Sequence, residues 1–117
     1  MRLQKKGDIK VKIFFSSTFI KKENLKEASI NHPIKLEYYK MINEDEMVKG
    51  KKAKFGIGVE KTEYIENKVK VENKTIKYLS NDEKRIEEIL KIFIENEVTP
   101  ITVTDIISDL SKKIIMI

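Results

Sequence analysis

The side chains able to do covalent or acid–base chemistry are few. The chain has no cysteine and a single histidine, His32. Thiolate nucleophiles, disulfides, cysteine-rich zinc sites and multi-histidine metal centres are therefore excluded. His32 precedes Pro33 in a polar stretch, with no carboxylate or nucleophile arranged around it, and reads as a lone surface histidine. Ser16, Ser17 and Ser29 lack the strained strand-to-helix elbow that exposes a serine nucleophile. Glu44-Asp45-Glu46 gathers carboxylates, but a calcium loop needs oxygen ligands at alternating positions and a glycine at the bend. It reads as a solvated acidic loop. Gly56-Ile57-Gly58 is not followed by a third glycine opening a helix, as a dinucleotide fingerprint requires. The two glycines instead suit close packing against one face of a strand. Lys49-Gly50-Lys51-Lys52 lacks the first glycine and the Ser/Thr of a Walker motif and reads as a charged turn. Glu87-Glu88 reads as a solvating pair on a helix exterior. The expectation is a protein with no catalytic, cofactor-binding or metal-ligating residues, no cofactor and no enzymatic activity.

What remains is charge. The 117 residues carry 24 Lys/Arg against 19 Asp/Glu, a net charge of +5. The surplus is uneven: residues 1–54 have a net charge of +7 and residues 55–117 one of −2. A basic half can mark a nucleic-acid partner. Lys10, Lys12, Lys21, Lys22, Lys51 and Lys52 form the candidate polyanion-binding set, with Phe14, Phe15 and Phe19 near enough to stack on bases if exposed, although core packing is the expectation for these rings. Against this, Lys outnumbers Arg 22 to 2, whereas phosphate and base readers favour the planar, bidentate guanidinium. Nineteen isoleucines and only two alanines match the lysine excess as the signature of an A/T-rich coding sequence.

The elements that would position these residues follow from periodicity. Ile9, Val11, Ile13 and Phe15 share one side of a strand at period two. Residues 21–33 read as a loop with at most one helical turn around Leu25. Ile34, Leu36 and Tyr38 alternate, then Tyr39 and Met41 take the other face, a register change that suggests a bulge. Ala53, Phe55, Ile57 and Val59 alternate strictly with Lys54, Gly56, Gly58 and Glu60. Glu66-Asn67 lies between two strand-like runs, where Asn would tolerate the positive φ of a tight hairpin. The run Val69, Val71, Ile76, Tyr78 slips phase near Asn73, which again suggests a bulge.

The last third is helical. Ser80 and Glu83 fit a capping box, and Ile86, Ile89, Leu90 and Phe93 form a stripe at helical spacing. Ile92 and Ile94 widen that stripe to about 200°, enough to touch both a sheet and another helix. Thr99-Pro100 breaks the helix, and Thr102 with Asp105 offers a second capping box. Val103, Ile106, Ile107, Leu110, Ile114 and Ile117 then fall on one face. The predicted class is α+β: an antiparallel meander of three to four strands covered by two C-terminal helices, in one domain. Residues 1–33 form a basic N-terminal segment of one strand plus a loop, and residues 34–117 the core. The helical pair resembles the first two helices of a winged helix-turn-helix, but no reader helix follows, and Asp82, Glu83, Glu87 and Glu88 would repel phosphates.

Three segments resemble a family of small, uncharacterised Firmicute proteins known only as a domain of unknown function. They are Lys35-Leu36-Glu37-Tyr38-Tyr39, Phe55-Gly56-Ile57-Gly58-Val59-Glu60-Lys61 and Asn96-Glu97-Val98-Thr99-Pro100-Ile101, and the resemblance covers roughly residues 34–113. It implies a small bacterial cytoplasmic protein and carries over no catalytic residue. The apolar runs are also far below the roughly 20 residues that span a bilayer, and no cleavable export signal is read, so the expected location is cytoplasmic, away from membranes.

The functional expectation is a non-catalytic protein-interaction or regulatory module, with another protein or a second copy of itself as partner. The alternative is a nucleic-acid-binding protein using the lysine-rich N-terminal strand and turn. Ile115 and Met116, in a tail of four apolar residues at a terminus where polar ones are usual, are the candidate interface residues.

Overall fold

The computed structural model describes residues 10–43 and 53–114. Four strands, β1 (Lys10–Phe19), β2 (Ile34–Asn43), β3 (Phe55–Ile65) and β4 (Lys68–Ser80), form one sheet in the order β1-β2-β3-β4. Every neighbouring pair is antiparallel. A short helix α1 (Lys22–Glu27) lies between β1 and β2, and α2 (Glu83–Glu95), a 3₁₀ turn (Pro100–Thr102) and α3 (Val103–Ile114) follow β4. This is the predicted α+β meander with its two C-terminal helices.

The core forms where the apolar side of the sheet meets the helices. Leu36 and Tyr38 of β2, Ile57 and Val59 of β3, and Ile86, Ile89, Leu90 and Phe93 of α2 are fully buried together with Val103 at the start of α3. Ile106, Ile107 and Leu110 of α3 and Phe15 of β1 pack on this cluster while staying partly exposed. Tyr38 and Phe93 meet edge to face with ring centroids 6.4 Å apart, the geometry favoured by the aromatic quadrupole.

Several local expectations are corrected. β2 has no bulge: it pairs with β3 without a break from Ile34 to Ile42. Tyr39 and Met41 are simply the alternate positions, facing the other side of the sheet. Nor does β4 slip at Asn73, which pairs with Glu60. Val69 and Val71 point to the face opposite that of Ile76 because their positions differ in parity. The irregularities lie elsewhere, between Phe14 and Ser16 of β1 and at residues 77–79, since Phe55 pairs with Ser80 but Ile57 with Ile76. In the Glu66-Asn67 hairpin the left-handed residue is Glu66, with φ 47°, and not Asn67.

The helix starts also differ in detail. The N-cap of α2 is Asp82, whose carboxylate accepts from the Lys84 amide at 3.0 Å, while the Ser80 hydroxyl accepts from the Asp82 amide. Before α3, the Thr102 hydroxyl donates back to the Thr99 carbonyl, so this threonine serves the 3₁₀ turn.

The close packing expected of the glycine pair is real at one position. A Cβ on Gly56 would overlap the carbonyl oxygens of Ile76 and Lys77, where β4 bulges against β3. At Gly58 a Cβ would make only ordinary contacts, the nearest at 3.7 Å.

The candidate interaction face

Because α2 and α3 cover one side of the sheet only, the alternate positions of all four strands face outward together. The antiparallel register places them in rows. Phe14, Tyr39, Gly58 and Thr75 form one row; Ser17, Glu37, Glu60 and Asn73 the next; Phe19, Lys35, Thr62 and Val71 a third; Tyr64 and Val69 a fourth. Lys12 pairs with Met41 at the other end. No described element covers this face. Phe14 and Phe19 are 54% and 56% exposed, and Val69 and Val71 are 63% and 50% exposed.

The rings on this face correct the expectation that the phenylalanines pack in the core. Only Phe15 does so. Ordinary alternation turns Phe15 inward with Val11 and Ile13 and leaves Phe14 outward, and the disturbed register that follows shifts the phase so that Ser17 and Phe19 face outward as well. Phe14 stands edge-on to Tyr39 with centroids 5.8 Å apart, and the Lys12 ammonium sits 4.1 Å from the centre of the Tyr39 ring. That cation–π contact holds Lys12 flat on the face. Lys35 reaches Glu37 at 3.6 Å. The Tyr39 hydroxyl is held above its ordinary pKa, first by partial burial and then by the charges of Glu37 and Glu60. Within the paired rows of the face, Lys12 and Lys35 are set against Glu37 and Glu60.

Of the candidate polyanion set, the side chains among the described residues lie in two places. Lys12 lies on the open face. Lys21 and Lys22 lie on the α1 connection between β1 and β2. Of Lys10, only the backbone pairing with Asn43 is described. Lys51 and Lys52, the Glu44-Asp45-Glu46 loop and the apolar tail with Ile115 and Met116 lie outside the described residues.

On the covered side of the sheet, two ion-pair clusters escaped the sequence reading. Lys40 continues the inward alternation of Ile34, Leu36 and Tyr38, leaving it 9% exposed. Its ammonium meets the carboxylates of Glu83 and Glu87 on α2 at 2.6 and 2.9 Å. These hydrogen bonds raise the Lys40 pKa and lower that of Glu87. Glu87 is therefore a tie between helix and sheet, not a solvating residue. His32 also has a carboxylate partner after all. Its Nε2 lies 2.8 Å from Glu63, which in turn lies 3.4 Å from Lys61. Hydrogen bonding to His32, then to Lys61, lowers the Glu63 pKa. A partner 31 residues away in sequence is invisible to spacing, since it depends on the β2–β3 register.

Among the described residues, no group of three His, Cys, Asp or Glu side chains could hold a metal ion. No helix among them is long and apolar enough to cross a membrane. A model for DUF6514, a family of unknown function, matches residues 17–113, and the chain belongs to that family. The match opens within β1, ahead of the Ile34 boundary drawn from the strand segments. No curated protein and no solved structure matches the chain.

Proposed function

We propose that this chain is a non-catalytic protein-interaction or regulatory module of a bacterial cytoplasm, of the Firmicute kind that its sequence resembles, and that it docks a second copy of itself on the open face of its sheet. The observation that carries this reading is the exposure of Phe14, Phe19, Val69 and Val71 on a side of the sheet that no described element covers. They stand on the two outer strands, with Lys35, Glu37, Glu60 and Thr62 between them, so the face presents two apolar rims about a charged middle, and exposed apolar clusters are candidates for an interaction surface.

Area and charge argue for a second copy. Four strands about 4.8 Å apart, each about ten residues long at roughly 3.4 Å per residue, give a face of about 650 Å². Two such faces would bury about 1,300 Å², within the range of specific interfaces. Sheets stack face to face about 10 Å apart with inward side chains interdigitating. The face is also charge-balanced, so a copy rotated by two-fold symmetry can set lysine against glutamate.

Sedimentation of the full chain tests this reading. A dimer is expected at tens of micromolar, and Phe19→Lys with Val71→Lys, which places like charges in one row, should give a monomer with a nearly unchanged melting temperature. A wild-type chain that stays monomeric at hundreds of micromolar, or a double variant that stays dimeric, would overturn it.

A second reading, binding of single-stranded nucleic acid, draws on Phe14 and Phe19 beside Lys12, since exposed rings offer stacking platforms. Glu37 and Glu60 in the middle of the same face oppose it, because they would repel the phosphates.

A further inference from the structure

We propose that the cavity beneath α1 is a binding site for a small amphiphilic anion: a carboxylate or phosphate monoester on an apolar chain. This inference is independent of the sheet face. The cavity is a groove open to solvent with a volume of about 390 Å³, within the range of small-molecule sites. Its apolar lining is Leu25, Ile30 and Pro33; its polar lining is Lys22, Lys26 and His32, joined by the neutral Asn31. No carboxylate lines it, although Glu23 and Glu27 are on the same short helix. Lys22 and Lys26 stand one turn apart and so project from one side of α1. An apolar lining beside two ammonium groups and an imidazole rejects a neutral polar solute and a purely apolar one alike. It suits a molecule with one anionic end.

The walls are preorganised, which lowers the ordering cost of binding. On the α1 side, the Lys21 amide and the Asn24 side-chain amide both donate to the Glu97 carboxylate, at 3.2 and 2.9 Å. The Ile30 amide donates to the Leu25 carbonyl at 2.8 Å and closes the turn behind the helix. On the β2 side, the Pro33 carbonyl accepts from the Tyr64 amide at 3.2 Å, and Glu63 holds Nε2 of His32. The two lysines, not the imidazole, therefore supply the donors for the anionic end, while His32, fixed by Glu63, forms a wall.

Titration calorimetry and amide NMR of the full chain with octanoate, octyl phosphate and octanol test the site; the first two probes separate the carboxylate from the phosphate source. The expected result is saturable binding of at least one anionic probe, about tenfold or more tighter than octanol, with shift changes centred on residues 22–33. The variant Lys22→Gln with Lys26→Gln, both exposed and so harmless to the fold, should lose about tenfold in affinity, as expected when charge-assisted contacts are removed. No saturable binding at 10 mM, equal binding of octanol, an unaffected double-lysine variant, or shift changes centred on Phe14 and Phe19 would each overturn the proposal.

Discussion

The Tyr38 hydroxyl donates a 2.9 Å hydrogen bond to the carbonyl of Val98, joining the middle of β2 to the turn that follows α2. Both residues are buried, so the bond holds the C-terminal helices at a fixed height over the sheet. The ring packs on Phe93 while its hydroxyl satisfies a carbonyl that water cannot reach. Tyr38→Phe keeps the ring and strands the carbonyl. A loss of about 1–3 kcal/mol at neutral pH is expected, measured by urea unfolding.

The same residue has a pH signature. Burial, with the Glu97 charge adding to it, holds the Tyr38 pKa well above the ordinary tyrosine value. Above pH of about 10 the unfolded chain ionises at this residue while the folded chain does not, so wild-type stability falls as pH rises. The Phe variant has nothing to ionise there. Its deficit should therefore narrow between pH 9 and 11, and a constant deficit would show that Tyr38 ionises freely in the folded state.

The two neighbouring glycines should behave oppositely. Gly56→Ala sets a methyl group against the backbone of β4, which cannot yield as a flexible side chain can, and should cost about 1–3 kcal/mol. Gly58→Ala meets only ordinary contacts, and in an extended strand it trims unfolded-state entropy; a change between neutral and about +1 kcal/mol of stabilisation is expected. Equal thermal shifts for both variants would contradict the bulge at residues 77–79.

The contrast between these glycines shows what the sequence carries. Alternation in residues 55–59 locates β3, and the wide apolar stripe from Ile86 to Phe93 locates α2, because each pattern is local and burial enforces it. The reason Gly56 alone is needed lies in another strand's irregularity. Lys40 is a sharper case. It sits two residues beyond Tyr38 on an unbroken alternation, where a lysine interrupts the apolar pattern. A cation on that face is acceptable only because α2 brings Glu83 and Glu87 to it, 43 and 47 residues later. Phe14 and Phe19 show the converse: hydrophobicity does not tell which sheet face lacks a cover.

Lys40→Met tests whether that tie has the pH dependence its geometry requires. Lys40 has a raised pKa in the fold, so its contribution is present below about pH 10.4 and lost above it. Glu87 has a lowered one, so its contribution is present above about pH 4.3 and lost as pH falls further. The stability difference between wild type and Lys40→Met should thus be flat between about pH 5 and 9 and shrink on both sides. A difference that grows in acid would mean that the carboxylates, not the lysine, are the strained partners.

Glu97 adopts a left-handed conformation, φ 51°, immediately after α2, and from there its carboxylate reaches the start of α1. Glu97→Ala removes both hydrogen bonds while leaving α2 intact. Amide exchange of Asn24 and Leu25 should quicken about tenfold, corresponding to a local opening made easier by about 1.4 kcal/mol, with core amides of β3 little changed. Uniform quickening across the sheet would show that the contact supports the whole fold instead of anchoring one helix.

Anisotropy with labelled single-stranded and duplex DNA decides the nucleic-acid reading. Non-specific attraction is strongest at low salt, and each phosphate neutralised on a duplex adds nearly one unit to the log–log salt slope. Lys12 lies over the Tyr39 ring and Lys35 faces Glu37, so few lysines of the sheet face remain for phosphates. No saturable binding is expected at 50 mM salt, for wild type or for Lys12→Gln. Tight binding at that salt, weakened by Lys12→Gln and by Phe14→Ser, would instead make the open face a single-strand platform and displace the second copy from it.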